Sequence, residues 1–102
     1  MYRTYVVQLR QDVMRSRRFR DANPCGGNEC FYVGSTAHDV EHRFAQHMRG
    51  EKSNRGWVTK YGEQLRQDLA TGVEYATRAE AEQAEAELAK SLRSQGFSVW
   101  SA

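Results

Sequence analysis

Residues 77–96 constrain this chain more than any other stretch. Thr77, followed three positions later by Glu80, spells a capping box. Its hydroxyl accepts from one free backbone N–H while the carboxylate accepts from another. Ala81, Ala84, Leu88 and Leu92 then recur at three- and four-residue intervals, the period of one helix face. Gly96 supplies a C-terminal stop. A helix apolar along one stripe must lie on another apolar layer. With 102 residues in all, about one domain's worth, that layer has to come from the residues before it. The expectation is a single domain over residues 1–102.

The partner layer reads as β-structure. Residues 4–9 and 30–35 are β-prone and predict two strands, joined as an antiparallel hairpin. Residues 10–29 between them read as a long irregular loop, closing on the turn-rich run Asn23-Pro24-Cys25-Gly26-Gly27-Asn28. A first helix is predicted from His38 or Asp39 to Gly50, with Val40, Phe44 and Met48 as its buried stripe. Residues 51–60 are polar, with room for a short helical turn. A third strand is placed within 64–70, and residues 97–100 read as a closing strand or a tail packed on the sheet. The fold class is α/β of the α+β type: a small, mainly antiparallel three-stranded sheet flanked by helices.

Composition removes several function classes. At 39% hydrophobic and 27% charged the chain is globular rather than disordered. No apolar run approaches the roughly 18 residues that span a bilayer. Met1-Tyr2-Arg3-Thr4-Tyr5 has neither an apolar h-region nor a small-residue cleavage site. Two cysteines are too few for a disulfide scaffold. The expected compartment is the cytoplasm. The net charge of +2 hides a division: residues 1–60 carry eleven basic and six acidic side chains, whereas residues 61–102 carry four and seven. Five arginines crowd residues 10–20 against the single acid Asp12. Such a bias points to one anion-facing half.

Four features carry chemistry. Glu85 falls in or at the edge of the last helix's apolar stripe, while Glu80, Glu82 and Glu87 point away. A core-facing carboxylate is costly unless paired, protonated or on a metal; the plainer reading is a partner arginine or backbone amide. Arg43 and His47, four apart, stack on one helix face, which for an ordinary helix flank means little. Tyr5 and Tyr32 each sit mid-strand, as cross-strand packing aromatics often do. Gly34 opens a backbone path beside the second strand.

Their order along the chain is more telling. Thr4-Tyr5-Val6, Phe31-Tyr32-Val33-Gly34, the Arg43-Phe44-Ala45-Gln46-His47 helix and Glu85 together resemble the GIY-YIG nuclease family. Asn23-Pro24, Lys52-Ser53-Asn54-Arg55 and Lys60-Tyr61-Gly62 further resemble its short bacterial members. The first motif departs from the pattern, with Arg3-Thr4 standing before Tyr5. The stretch from Gly34 to Arg43 is one residue longer than in many members, with His38 the extra residue. The resemblance implies a divalent-metal-dependent endonuclease hydrolysing DNA, with structure-specific cleavage in repair, recombination or mobile-element processing as an expectation. It implies a site of Tyr5, Tyr32, Arg43, His47 and Glu85, with Mg²⁺ or Mn²⁺ on Glu85. A hard cation takes a carboxylate and waters and polarises a phosphate. Arg43 offers a fork for phosphate oxygens. Tyr5, Tyr32 and His47 all stay open as general base, although the resemblance favours a tyrosine.

Arg15, Arg17, Arg18 and Arg20 around Phe19 then read as a clamp on the DNA backbone, against the plainer alternative of a solvated, mobile loop. Asn54, Arg55, Trp57 and Lys60 are secondary candidates for that surface. RNA stays open as a substrate, and specificity is expected from substrate shape, the long loop or a protein partner. Two rivals have different signatures. A non-catalytic nucleic-acid-binding module of the same fold keeps the basic loop but need not gather the five site residues. A zinc-stabilised interaction domain would use Cys25, Cys30, His38 and His42, whose spacing is too tight for a standard finger.

Overall fold

A computed structural model describes residues 1–27, 29–50 and 56–102. Strand β1 (Tyr2–Leu9) is the hub of the sheet. Its centre, Tyr5-Val6-Val7, is buried on both faces, which a run of aromatic and β-branched residues tolerates. On one side β1 pairs antiparallel with β2 (Cys30–Thr36), setting Tyr5 opposite Gly34 and Val7 opposite Tyr32. On its other side it pairs antiparallel with β3 (Gly62–Leu65) and, nearer its start, with the two-residue β4 (Glu74–Tyr75). Strand β5 (Ser98–Ser101) runs parallel to β2 and closes the far edge.

The sheet therefore has five strands where three are predicted from sequence. Two residues are too few for β4 to show an alternating pattern. Residues 97–100 do form a strand, shifted by one to 98–101, and its partner is fixed only by where the last helix returns the chain. The third strand starts at Gly62, before the 64–70 window, because a short helix turns straight into it. A Cβ at Gly62 would lie 2.5 Å from the Val58 carbonyl oxygen, so glycine alone fits that turn.

Helices cover both faces. Helices α1 (Arg17–Ala22), α2 (Val40–Met48) and α3 (Trp57–Tyr61) pack on the face that carries Tyr5, Val7, Leu9 and Cys30. Helix α4 (Arg78–Ser94) packs Leu88, Ala89 and Leu92 on the face of Val6, Phe31, Val33 and Val99. Both halves of the Thr77–Glu80 capping box are formed. No helix among the described residues is long and apolar enough to cross a membrane.

Two expectations need correction. Residues 10–29 are not an irregular loop: a 3-10 turn at Gln11–Arg15 leads into α1, which is capped by the Ser16 hydroxyl accepting from the Phe19 amide. Val13 and Phe19 anchor this segment in the core, and the flanking arginines obscure both in sequence. The buried stripe of α2 is also rotated. Val40 is buried and Phe44 half-buried, but Met48 is exposed and Gln46 and His47 are buried. A hydrogen-bonding partner for His47 waits on β1, and that contact outweighs burial of the terminal methionine.

Candidate active site

The site grows out of the β1–β2 register. Because Tyr5 lies opposite Gly34, its ring lies across β2; a Cβ at Gly34 would come within 2.5 Å of the Tyr5 hydroxyl. The glycine is needed here for close approach, not for a special φ. Tyr32 projects from the same face, its ring centroid 6.3 Å from that of Tyr5. Helix α2, started by the Asp39 carboxylate accepting from the His42 amide, brings His47 over both. Its Nε2 is 2.9 Å from the Tyr5 hydroxyl, and its ring meets Tyr32 edge-on. One turn earlier, Arg43 reaches the same hydroxyl and also donates to the Gln46 side chain at 3.4 Å. Thus β1, β2 and α2 gather Tyr5, Tyr32, Arg43 and His47.

Burial sets the protonation states. His47 is pushed down to about 4, first by burial and then by the nearby Arg43. It is a neutral ring at physiological pH, able to accept at Nε2 from the Tyr5 hydroxyl. Its Nδ1 is buried without a hydrogen-bond partner among the described residues. Tyr5 is raised well above the usual tyrosine range by burial and then by Tyr32, while Arg43 pulls the other way. Tyr32 is raised by burial and by the Glu85 charge, with Arg43 and the Tyr5 hydroxyl opposing. Tyr5 is sealed at 1% exposure, whereas Tyr32 is half-buried.

Glu85 comes from the opposite layer. It is 5% exposed on α4, and burial raises its pKa more than the Ser35 hydroxyl and Arg78 lower it, with Glu82 adding to the rise. It lines an open cleft of about 510 Å³ together with Ser35, His38, Arg43, Arg78 and Glu82. The two cationic and two anionic side chains therefore share one space. Sequence reasoning missed Arg78, Glu82 and Ser35 as cleft residues. Arg78, Glu82 and Glu85 stand at i, i+4 and i+7, a single helix face, and that spacing was the available signal.

The remaining candidates divide. Arg15, Arg17, Arg18 and Arg20 ride the turn and α1 on the same face of the sheet as α2. Arg20 donates to the Met14 and Arg15 carbonyls and so fastens the turn to α1. Arg17 lies 3.7 Å from Asp21 in an exposed pair. Lys60 is exposed on α3, and Trp57 is buried in the core. Asn54 and Arg55 lie outside the described residues. The zinc alternative fails on geometry. Cys30 begins β2 and His38 follows its end, which at roughly 3.3 Å per residue sets them about 20 Å apart, beyond any common coordination shell. Cys30 packs in the core, where burial pushes its thiol up to about 11.

Compared with known proteins, residues 25–98 match the family model of the GIY-YIG catalytic domain, most of the chain. The chain belongs to the GIY-YIG family. That makes it a nuclease-type domain, of the endonucleases that cleave phosphodiesters, with a nucleic-acid substrate. The GIY-YIG match contains Tyr32, Arg43, His47 and Glu85. Tyr5 precedes the matched stretch, yet the strand register seats its hydroxyl on His47. No curated protein and no solved structure matches the chain.

Proposed function

We propose that this chain is a divalent-metal-dependent endonuclease that hydrolyses DNA phosphodiester bonds, with residues 1–102 acting as one domain. The observation that carries the reading is the shared space: Arg43, held against the Tyr5–His47 pair, and the buried Glu85 line the same cleft. A phosphate entering that cleft meets the Arg43 fork, which suits its non-bridging oxygens. Glu85 is an under-compensated buried carboxylate facing an open polar space. That is a fit for Mg²⁺ or Mn²⁺, since Mg²⁺ takes one or two carboxylates and completes its shell with water and phosphate oxygens. Among the described residues no three His, Cys, Asp or Glu side chains gather, so Glu85, with Glu82 beside it, would hold the ion. When bound, the cation supplies charge for the pentavalent transition state and for the leaving oxygen.

The protein's own groups handle the proton. Tyr32, the more exposed tyrosine, would take it from the attacking water. Tyr5 and the neutral His47 stand behind it, and a hydroxyl bonded to an imidazole can pass a proton inward. Burial raises both tyrosines, Arg43 opposes part of that rise, and a bound cation would oppose it further. The nucleic-acid surface is assigned to Arg15, Arg17, Arg18, Arg20 and Lys60 among the described residues, with Asn54 and Arg55 beyond them.

The test is a cleavage screen over labelled duplex, nicked, forked and flapped DNA, with an RNA arm, in Mg²⁺ and Mn²⁺. Cleavage of at least one DNA is expected. Glu85→Gln should lose about 100-fold or more of it, the scale of removing a group that acts at the transition state. Binding without cleavage by the parent protein would instead establish the non-catalytic module, and unimpaired cleavage by Glu85→Gln would remove Glu85 from the site.

A further inference from the structure

We propose that Trp100 and Arg18 form a docking site for an unpaired base and its phosphate, so that the preferred substrate is DNA carrying a single-stranded arm. This rests on the nuclease reading above and names the substrate class of the same site. The first observation is position. In the parallel pairing of β2 and β5, Trp100 is the register partner of Tyr32. Register partners on neighbouring strands project from the same face, about 4.8 Å apart. Trp100 therefore stands beside the catalytic tyrosine, on the edge strand of the sheet.

The second observation is the company it keeps. One side of the Trp100 ring packs on Trp57, with centroids 5.0 Å apart, and the Arg18 guanidinium lies 5.2 Å from the Trp100 ring centroid. Trp100 is half-buried and Arg18 exposed, and no carboxylate among the described residues pairs with Arg18. An arginine resting on a supported tryptophan, with no carboxylate pairing it among the described residues, offers what a nucleotide needs: the base takes the ring face by displacing the guanidinium, which then meets the phosphate. The local charge agrees, with five arginines in residues 10–20 against one acid.

The third observation is rigidity. The buried Asn23 amide donates to the Phe19 carbonyl at 2.9 Å, and its oxygen accepts from the Val99 amide at 2.7 Å and from Arg93 at 3.2 Å. One side chain thereby ties α1 to β5 and α4. The Ser98 hydroxyl donates to the Gly27 carbonyl at 2.7 Å and holds the following turn. The arginine and the tryptophan are thus presented by fixed elements. A base inside a duplex has both faces covered by its neighbours and cannot stack on Trp100, so only an unpaired base uses this site.

The experiment takes the full chain carrying Glu85→Gln, without divalent cation, so that binding is read apart from cleavage. Affinities are measured for a labelled single strand of about 15 nucleotides, long enough for one site, and for a blunt duplex of the same length. Trp100→Leu keeps apolar bulk, and Arg18→Gln changes an exposed position. Each is expected to lower the ratio of single-strand to duplex affinity, Trp100→Leu by about tenfold, the scale of one base–aromatic stack. An unchanged ratio in both variants overturns the proposal. Should Trp100→Leu fail to fold, tryptophan fluorescence of the Glu85→Gln chain decides: quenching by single strand but not duplex supports the site, and equal quenching overturns it. The two readings can fail separately. Single-strand preference through Trp100 in a chain that cuts no DNA upholds this site and removes the nuclease reading. Cleavage with an unchanged ratio does the reverse.

Discussion

His47 stays neutral down to about 4 because burial and Arg43 both oppose a charged ring, whereas an unperturbed histidine titrates near 6.5. Between those values the unfolded chain binds a proton that the folded chain refuses. Stability is therefore complete above the unfolded value and falls as pH drops through the window from 6.5 to about 4. The loss is on the order of 3 kcal/mol at the acid end. Thermal melts at pH 7 and pH 4.5 should show a smaller acid loss in His47→Gln than in the parent; equal losses would contradict the neutral buried ring. Glu85 has the opposite sign. Its folded pKa is raised, so its destabilisation appears as pH rises through that value and is absent where the carboxyl is protonated. Glu85→Gln should melt above the parent at pH 7 and lose that advantage in acid, while losing about 100-fold or more of cleavage. Adding Mg²⁺ or Mn²⁺ should raise the melting point of the parent and not of Glu85→Gln, since a ligand that binds only the folded state stabilises by mass action. Gly34→Ala would drive a methyl into the Tyr5 ring. A cost of about 1–3 kcal/mol is expected from such overpacking, with cleavage falling further than stability because Tyr5 must leave His47.

Each element of the candidate site is held by its own local device. Helix α4 starts on the Thr77–Glu80 box, and the same helix carries Leu88 and Leu92 to the core and Glu85 to the cleft. The helix period was legible, and with it the anomaly of a carboxylate at a core position. Helix α2 was legible in extent but not in rotation, because apolar spacing ranked Met48 above His47 and could not show a hydroxyl waiting on β1. Helix α1 was illegible: six residues among arginines give no amphipathic signal, and it exists because Phe19 and Asn23 find tertiary partners. Asn23→Ala should cost about 3 kcal/mol in denaturant unfolding, since it strands the buried Val99 amide and one Arg93 donor. A loss below about 0.5 kcal/mol, within the range of neutral surface changes, would mean that α1 is held by Phe19 and Val13 alone.

Across the whole molecule, charge and layers coincide. The basic first sixty residues supply Arg43 and the α1 arginines on one face of the sheet, while the acidic remainder supplies Glu82 and Glu85 from the other. The net charge of +2 is an average over two stretches of opposite charge. DNA binding should therefore be salt-dependent although the chain is nearly neutral. Removing one arginine of the proposed phosphate surface, Arg15→Gln or Arg17→Gln, should reduce the slope of log affinity against log salt by about 1. Slopes unchanged in both variants would take the α1 region out of the DNA surface.

The sequence alone determined the elements that obey a period or a cap: two strands bearing tyrosines, the Arg43–His47 helix and the Thr77-capped helix with its inward carboxylate. Those follow from side-chain alternation and helix geometry, which act within a few residues. Whether the marked residues meet is a question of register and layer, which no local pattern encodes. The pairing of Tyr5 with Gly34 puts a hydroxyl against His47, and the return of α4 across the sheet brings Glu85 into the cleft with Arg43. The parallel seat of β5 beside β2, which sets Trp100 next to Tyr32 under Arg18, was likewise decided only by tertiary packing.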